Sequence, residues 1–128
     1  MESTTYIKNV KMSPKKMRFM LDAIKKMKPA EALDYLYYST NKQSVLYYSA
    51  IKSAISNATA TLKVDPNMLK FKFLTIEEGR KLKRYRAGSR GGAKPRTRSY
   101  SHIKIVLVQE KQTPASSVKK ETKKEANN

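Results

Sequence analysis

Nine of the nineteen residues from Arg80 to Arg98 are basic and none is acidic: Arg80, Lys81, Lys83, Arg84, Arg86, Arg90, Lys94, Arg96 and Arg98. At this density, guanidinium and ammonium groups point to phosphate neutralisation. Arginine does this bidentately and can also lay its flat face on a base. Gly88, Gly91 and Gly92 lie between the two halves of the segment and let backbone pass close to backbone. The plainer readings are a solvated charged loop or a short nuclear-targeting patch. Neither needs the apolar stretches that flank this segment on both sides.

A second basic group, Lys11, Lys15, Lys16 and Arg18, gathers where a helix begins at Ser13-Pro14. Free N–H groups and the helix dipole favour anions there, so a phosphate contact is weighed against an ordinary exposed helix face. Tyr35, Tyr37, Tyr38, Tyr47 and Tyr48 cluster around two helices. They read as core and rim packing in preference to base stacking. His102 is the only histidine and there is no cysteine, which leaves no zinc site and no thiol chemistry. Glu77-Glu78 stands beside Arg80 and Lys81, where local charge balance explains it better than acid–base work. No phosphate-binding or dinucleotide-binding glycine loop is present. No catalytic residue, metal ligand or cofactor is expected.

The whole chain supports the same reading. It has 128 residues, the size of one domain, and a formal charge of +18 from 28 basic and 10 acidic side chains. Such an excess repels itself unless a polyanion neutralises it. A membrane surface is the other anionic candidate, but the sequence shows neither a basic amphipathic helix with bulky anchors nor a lipidation motif. No apolar run is long enough to span a bilayer, and the first residues lack the pattern of a signal peptide. Residues 1–110 read as the domain. Residues 111–128, rich in Lys, Glu, Ser and Thr, read as a disordered lysine-rich tail.

Elements must hold the basic segment in place. Thr4 to Val10 reads as a short strand. Met17, Met20, Leu21, Ile24 and Met27 recur at helical spacing over about 14–27. Pro29 opens a shorter helix with Ala32, Leu33 and Leu36 inward. A third helix, about 42–61, carries Val45, Tyr48, Ile51, Ile55, Ala58 and Leu62 as its stripe. The period then changes to two. Leu69, Phe71 and Phe73 form one strand closed by Glu77-Glu78-Gly79, and Ile103, Ile105 and Leu107 form a second that pairs with it. The basic segment between them is expected to be two extended arms with a bend near Gly88–Gly92, reaching ~25–30 Å from the body. Repulsion among its nine cations is expected to leave it poorly ordered until a polyanion binds.

Four pieces occur in register: Ser13-Pro14-Lys15-Lys16-x-Arg18, Ser53-Ala54-Ile55-Ser56-Asn57-Ala58, Glu78-Gly79-x-x-x-Lys83-Arg84 and Ser101-His102-Ile103. Together they resemble the universal L-twenty-two family of large-subunit ribosomal proteins over about residues 6–109. The resemblance implies an α+β fold, three helices packed on a small antiparallel sheet, with a long protruding β-hairpin from about 80 to 98. It implies that the hairpin runs through large-subunit (23S-type) rRNA and that its tip, Ala87, Gly88, Ser89, Arg90, Gly91 and Gly92, lines the polypeptide exit tunnel. Neighbouring large-subunit proteins and the nascent polypeptide are the other implied partners, and the ribosome in the cytoplasm is the implied location. The family usually carries proline where this chain has Arg80, and again near Ala87. The tip here is richer in glycine.

Two other readings compete. A non-ribosomal architectural protein would lay the same arm in a DNA groove and bend the duplex. An RNA-cleaving enzyme would need a metal or acid–base site that the residues do not supply.

Overall fold

The computed structural model describes residues 1–110, so the tail expected over 111–128 lies outside the described residues. The order of elements is β1 (Glu2–Val10), α1 (Pro14–Lys25), α2 (Pro29–Tyr38), α3 (Lys42–Leu62), a 3-10 turn (Pro66–Met68), β2 (Leu69–Ala87), a second 3-10 turn (Ser89–Gly91) and β3 (Ala93–Gln109). The three strands are antiparallel in the order β1-β3-β2, and the three helices pack against the sheet. The expected α+β architecture with a protruding hairpin is therefore what forms.

Proline at the first position of both α1 and α2 has no amide to waste, and its fixed φ suits a helix start. The Glu31 carboxylate accepts the Lys28 amide N–H at 3.4 Å and closes the start of α2. At the end of α3, Lys63 adopts left-handed geometry (φ 53) and its N–H bonds the Thr59 carbonyl at 3.0 Å. Helix α1 buries Met17, Met20, Leu21 and Ile24, and α3 buries Tyr47, Ala50, Ile51, Ala54, Ile55 and Ala58. These residues meet Leu69, Leu74, Ile76, Ile103, Ile105 and Leu107 of the sheet. One buried hydroxyl ties two helices: Tyr47 Oη donates to the Met17 carbonyl at 2.8 Å. Burial pushes this phenol well above the ordinary tyrosine range.

Three details differ from the sequence expectation. Strand β2 does not close at Gly79 but continues to Ala87, because ladder hydrogen bonds need no apolar side chains. Phe73, expected on the same face as Phe71, is exposed. The register passes from Phe71↔Leu107 to Phe73↔Val106, so Lys72 is an extra residue that turns Phe73 outward and Leu74 inward. Val45, expected in the buried stripe of α3, is 65% exposed, and Ser44 and Tyr47 take the inward positions.

Candidate nucleic-acid interface

The basic segment becomes the outer half of the β2–β3 ladder. Its pairs run Lys81↔Ser99, Leu82↔Arg98, Lys83↔Thr97, Arg84↔Arg96, Tyr85↔Pro95, Arg86↔Lys94 and Ala87↔Ala93. The expected bend falls at Gly88–Gly92. There the Gly88 N–H bonds the Gly92 carbonyl at 2.6 Å, and Arg90 (φ 54) and Gly91 (φ 70) turn the chain. Gly91 meets that φ without strain, whereas Arg90 adopts a conformation uncommon for a side-chain-bearing residue.

Side chains directly opposite in an antiparallel pair lie on the same face. The register therefore sorts the cations. Arg84, Arg86, Lys94, Arg96 and Arg98 share one face with Leu82, while Lys81 and Lys83 share the other with Tyr85, Thr97 and Ser99. Arg90 stands at the tip and Arg80 at the root. All nine basic residues are exposed. Cross-strand pairing places Arg84 opposite Arg96 and Arg86 opposite Lys94, and directly opposed like charges destabilise a ladder. An anion between them turns that repulsion into binding. Arg84, Tyr85, Arg86, Arg96, Thr97 and Arg98 line a concavity on the arm.

The root is built with care. The register moves from Glu78↔Ser101 to Lys81↔Ser99, which places a bulge at Gly79-Arg80. A Cβ at Gly79 would come within 2.9 Å of both the carbonyl carbon and oxygen of Tyr100, so only glycine fits against that backbone. The Arg80 guanidinium lies 5.3 Å from the centre of the Tyr100 ring. Strand β1 carries its own bulge between Ile7 and Val10, with Asn9 at φ 56. These two bulges and the one at Lys72 all fall on partner strands, and β3 runs without one from the core to the tip.

Other predicted site residues separate in the structure. Lys11, Lys15 and Lys16 are exposed around the start of α1, away from the hairpin in sequence but on the same domain. Arg18 is partly committed, since its Nη2 donates to the Ile76 carbonyl at 3.1 Å and locks α1 onto β2. Lys81 pairs with Glu78 at 3.3 Å, and Glu77 accepts the Tyr6 hydroxyl at 2.8 Å, so the adjacent acids serve local contacts. His102 Nδ1 accepts the Asn9 amide N–H at 2.9 Å, a structural role. Among the described residues, no group of three His, Asp or Glu side chains could hold a metal. Of the tyrosines, only Tyr47 is fully buried, while Tyr37 and Tyr38 are mainly exposed. Core and rim packing thus accounts for Tyr47 and for Tyr48, which packs half-buried against the core, and leaves Tyr37 and Tyr38 on the surface. The segregation of cations by face was not anticipated, although the alternate spacing 84/86 and 94/96/98 contains the signal. Phe19, 86% exposed on α1, was also missed.

A family profile described as "Ribosomal protein L22p/L17e" matches residues 5–108. The chain belongs to this family. Among curated relatives, "Large ribosomal subunit protein uL22" of Opitutus terrae is 41% identical over 108 residues, covering 84% of this chain and 96% of the relative. The protein of the same description from Syntrophus aciditrophicus is 31% identical over 107 residues, covering 84% and 97%. That from Syntrophotalea carbinolica is likewise 31% identical over 107 residues, with the same coverage. The L22p/L17e match takes in the whole hairpin, the three helices and nearly all of the sheet.

Proposed function

We propose that this chain is a structural constituent of the large ribosomal subunit that binds 23S-type rRNA through its hairpin and supports assembly of the particle. The observation that carries the reading is the arm: nine exposed cations, no acid, five of them on one face of a ladder that buries no core of its own. Packed phosphate is the environment that removes its self-repulsion. Lys81, Lys83 and Arg90 extend the contact to the second face and the tip, and Arg80 serves the root. Lys11, Lys15, Lys16 and the free edge of Arg18 add a second patch on the body. The tip, Ala87 to Gly92, lines the polypeptide exit tunnel and meets the nascent chain, while the body contacts neighbouring large-subunit proteins. The mechanism is charge neutralisation and shape, with no bond made or broken.

Sucrose-gradient fractionation of a cell extract after a moderate salt wash tests the reading. The protein is expected in the large-subunit peak. A pool that sediments with DNA and leaves the subunit peak empty refutes it. Crosslinking from positions 84–98 on intact particles is expected to yield rRNA adducts, and crosslinks to protein alone would exclude the arm as the rRNA contact.

A further inference from the structure

Helix α1 faces the core with Met17, Met20, Leu21 and Ile24, and the Arg18–Ile76 hydrogen bond fixes its rotation. Phe19 then points away from the body. It is 86% exposed, the most exposed large apolar side chain among the described residues after the initial Met1. A phenylalanine in that position contributes nothing to the core and exposes apolar surface to water. Its neighbours one turn before are Lys15 and Lys16, and the two nearest one turn after are Asp22 and Ala23. From Lys11 to Lys26 the helix region holds six basic residues against Asp22 alone.

We propose that Phe19 is a base-stacking residue: an unpaired rRNA base lies on its ring while Lys15 and Lys16 hold the adjoining phosphates. The inference rests on the rRNA-binding reading above and adds a contact on the body, separate from the arm. An exposed aromatic ring with two lysines one turn before it matches an unpaired nucleotide, which presents a π-face beside a negative charge. The exposed pair Tyr37 and Tyr38 is a weaker claimant, because α2 also carries Glu31 and Asp34 and no basic residue.

The test uses the full chain and protein-free large-subunit rRNA. Phe19→Ala is expected to melt as the unaltered protein does, since the ring is exposed. It is expected to bind rRNA about 5- to 150-fold more weakly, the range for loss of one stacked base, with an unchanged salt slope. The chain has no tryptophan, so Phe19→Trp introduces a sole indole reporter. That variant is expected to keep its affinity and to lose emission on binding, as a stacked indole does. Unchanged affinity of Phe19→Ala overturns the proposal. So does an indole whose emission stays as in water, or one that only shifts to the blue when neighbouring subunit proteins are added, which marks a protein contact. If the unaltered protein fails to bind rRNA at all, the underlying reading falls with it. Normal binding without a Phe19 effect removes the stacking site alone.

Discussion

Replacing Arg84, Arg96 and Arg98 together by alanine removes three of the five cations on the charged face of the arm. Each phosphate contact releases counterions and contributes about 0.7–0.9 to the slope of log K against log salt. Three lost contacts should therefore flatten the slope by about 2–3. At 0.1 M salt each release is worth a factor of about 5–8, so affinity for large-subunit rRNA should fall roughly 100- to 500-fold. Folding should not suffer. None of the three side chains is buried, and the Arg84–Arg96 pair opposes like charges across the ladder, so the melting temperature should hold or rise. Filter binding or fluorescence anisotropy over a salt series measures both quantities. The control removes the same charge elsewhere, by Lys42→Ala, Lys52→Ala and Lys63→Ala on or beside α3, all exposed. That triple is expected to change the slope far less. If the two triples behave alike, net charge alone governs binding and the arrangement of the arm carries nothing.

Gly79→Ala forces a Cβ to within 2.9 Å of the Tyr100 backbone, so the hairpin root must shift. A loss of about 1–3 kcal/mol is expected by urea melting, with rRNA affinity falling as well because the arm is re-aimed. Ile103→Ala empties a fully buried position in the central strand and should cost about 2–5 kcal/mol. Tyr47→Phe removes the donor to the Met17 carbonyl and should cost about 0.5–1.5 kcal/mol in the same assay. The Lys28 ammonium, 3.0 Å from Glu110, holds that carboxyl below the ordinary carboxylate range. Its contribution is therefore present above the unfolded pKa and is lost as pH falls through the lower folded value. Glu110→Gln should therefore lower stability slightly near neutrality, leave it unchanged below the folded pKa, and so remove that part of the acid limb. An unaltered acid limb in the variant would show that the pair contributes nothing.

The helices were legible because their signals are local. Ser13-Pro14 and Pro29 mark starts, and Met17, Met20, Leu21 and Ile24 repeat at 3.6. A basic protrusion of two arms with a bend was legible from its charge and glycines, and the hairpin itself was implied by the family resemblance. Its strand character was not legible in the residue types, since Arg80 to Arg98 lacks the apolar alternation by which strands are recognised, and only pairing with β3 defines it. Phe73 was misplaced because a bulge at Lys72 changes the phase of the strand, an event with no mark in the residue types. Val45 was misplaced because Ser44 and Tyr47 fit the inward positions: Ser44 Oγ lies 3.6 Å from Met20 Sδ, and Tyr47 bonds Met17. The nine cations of the arm can be named residue by residue from the sequence. Their division into two faces required the register.

The unbroken central strand makes the hairpin a lever with its fulcrum in the core. One end of β3 is clamped by Ile103, Ile105 and Leu107, and the other carries the turn with Arg90. Over an arm of ~25–30 Å, a one-degree tilt at the clamp displaces the far end by about 0.5 Å. Small repacking around Ile103 or Gly79 thus moves Arg90 without touching it. Side chains chosen for interior fit also set the aim of the tip.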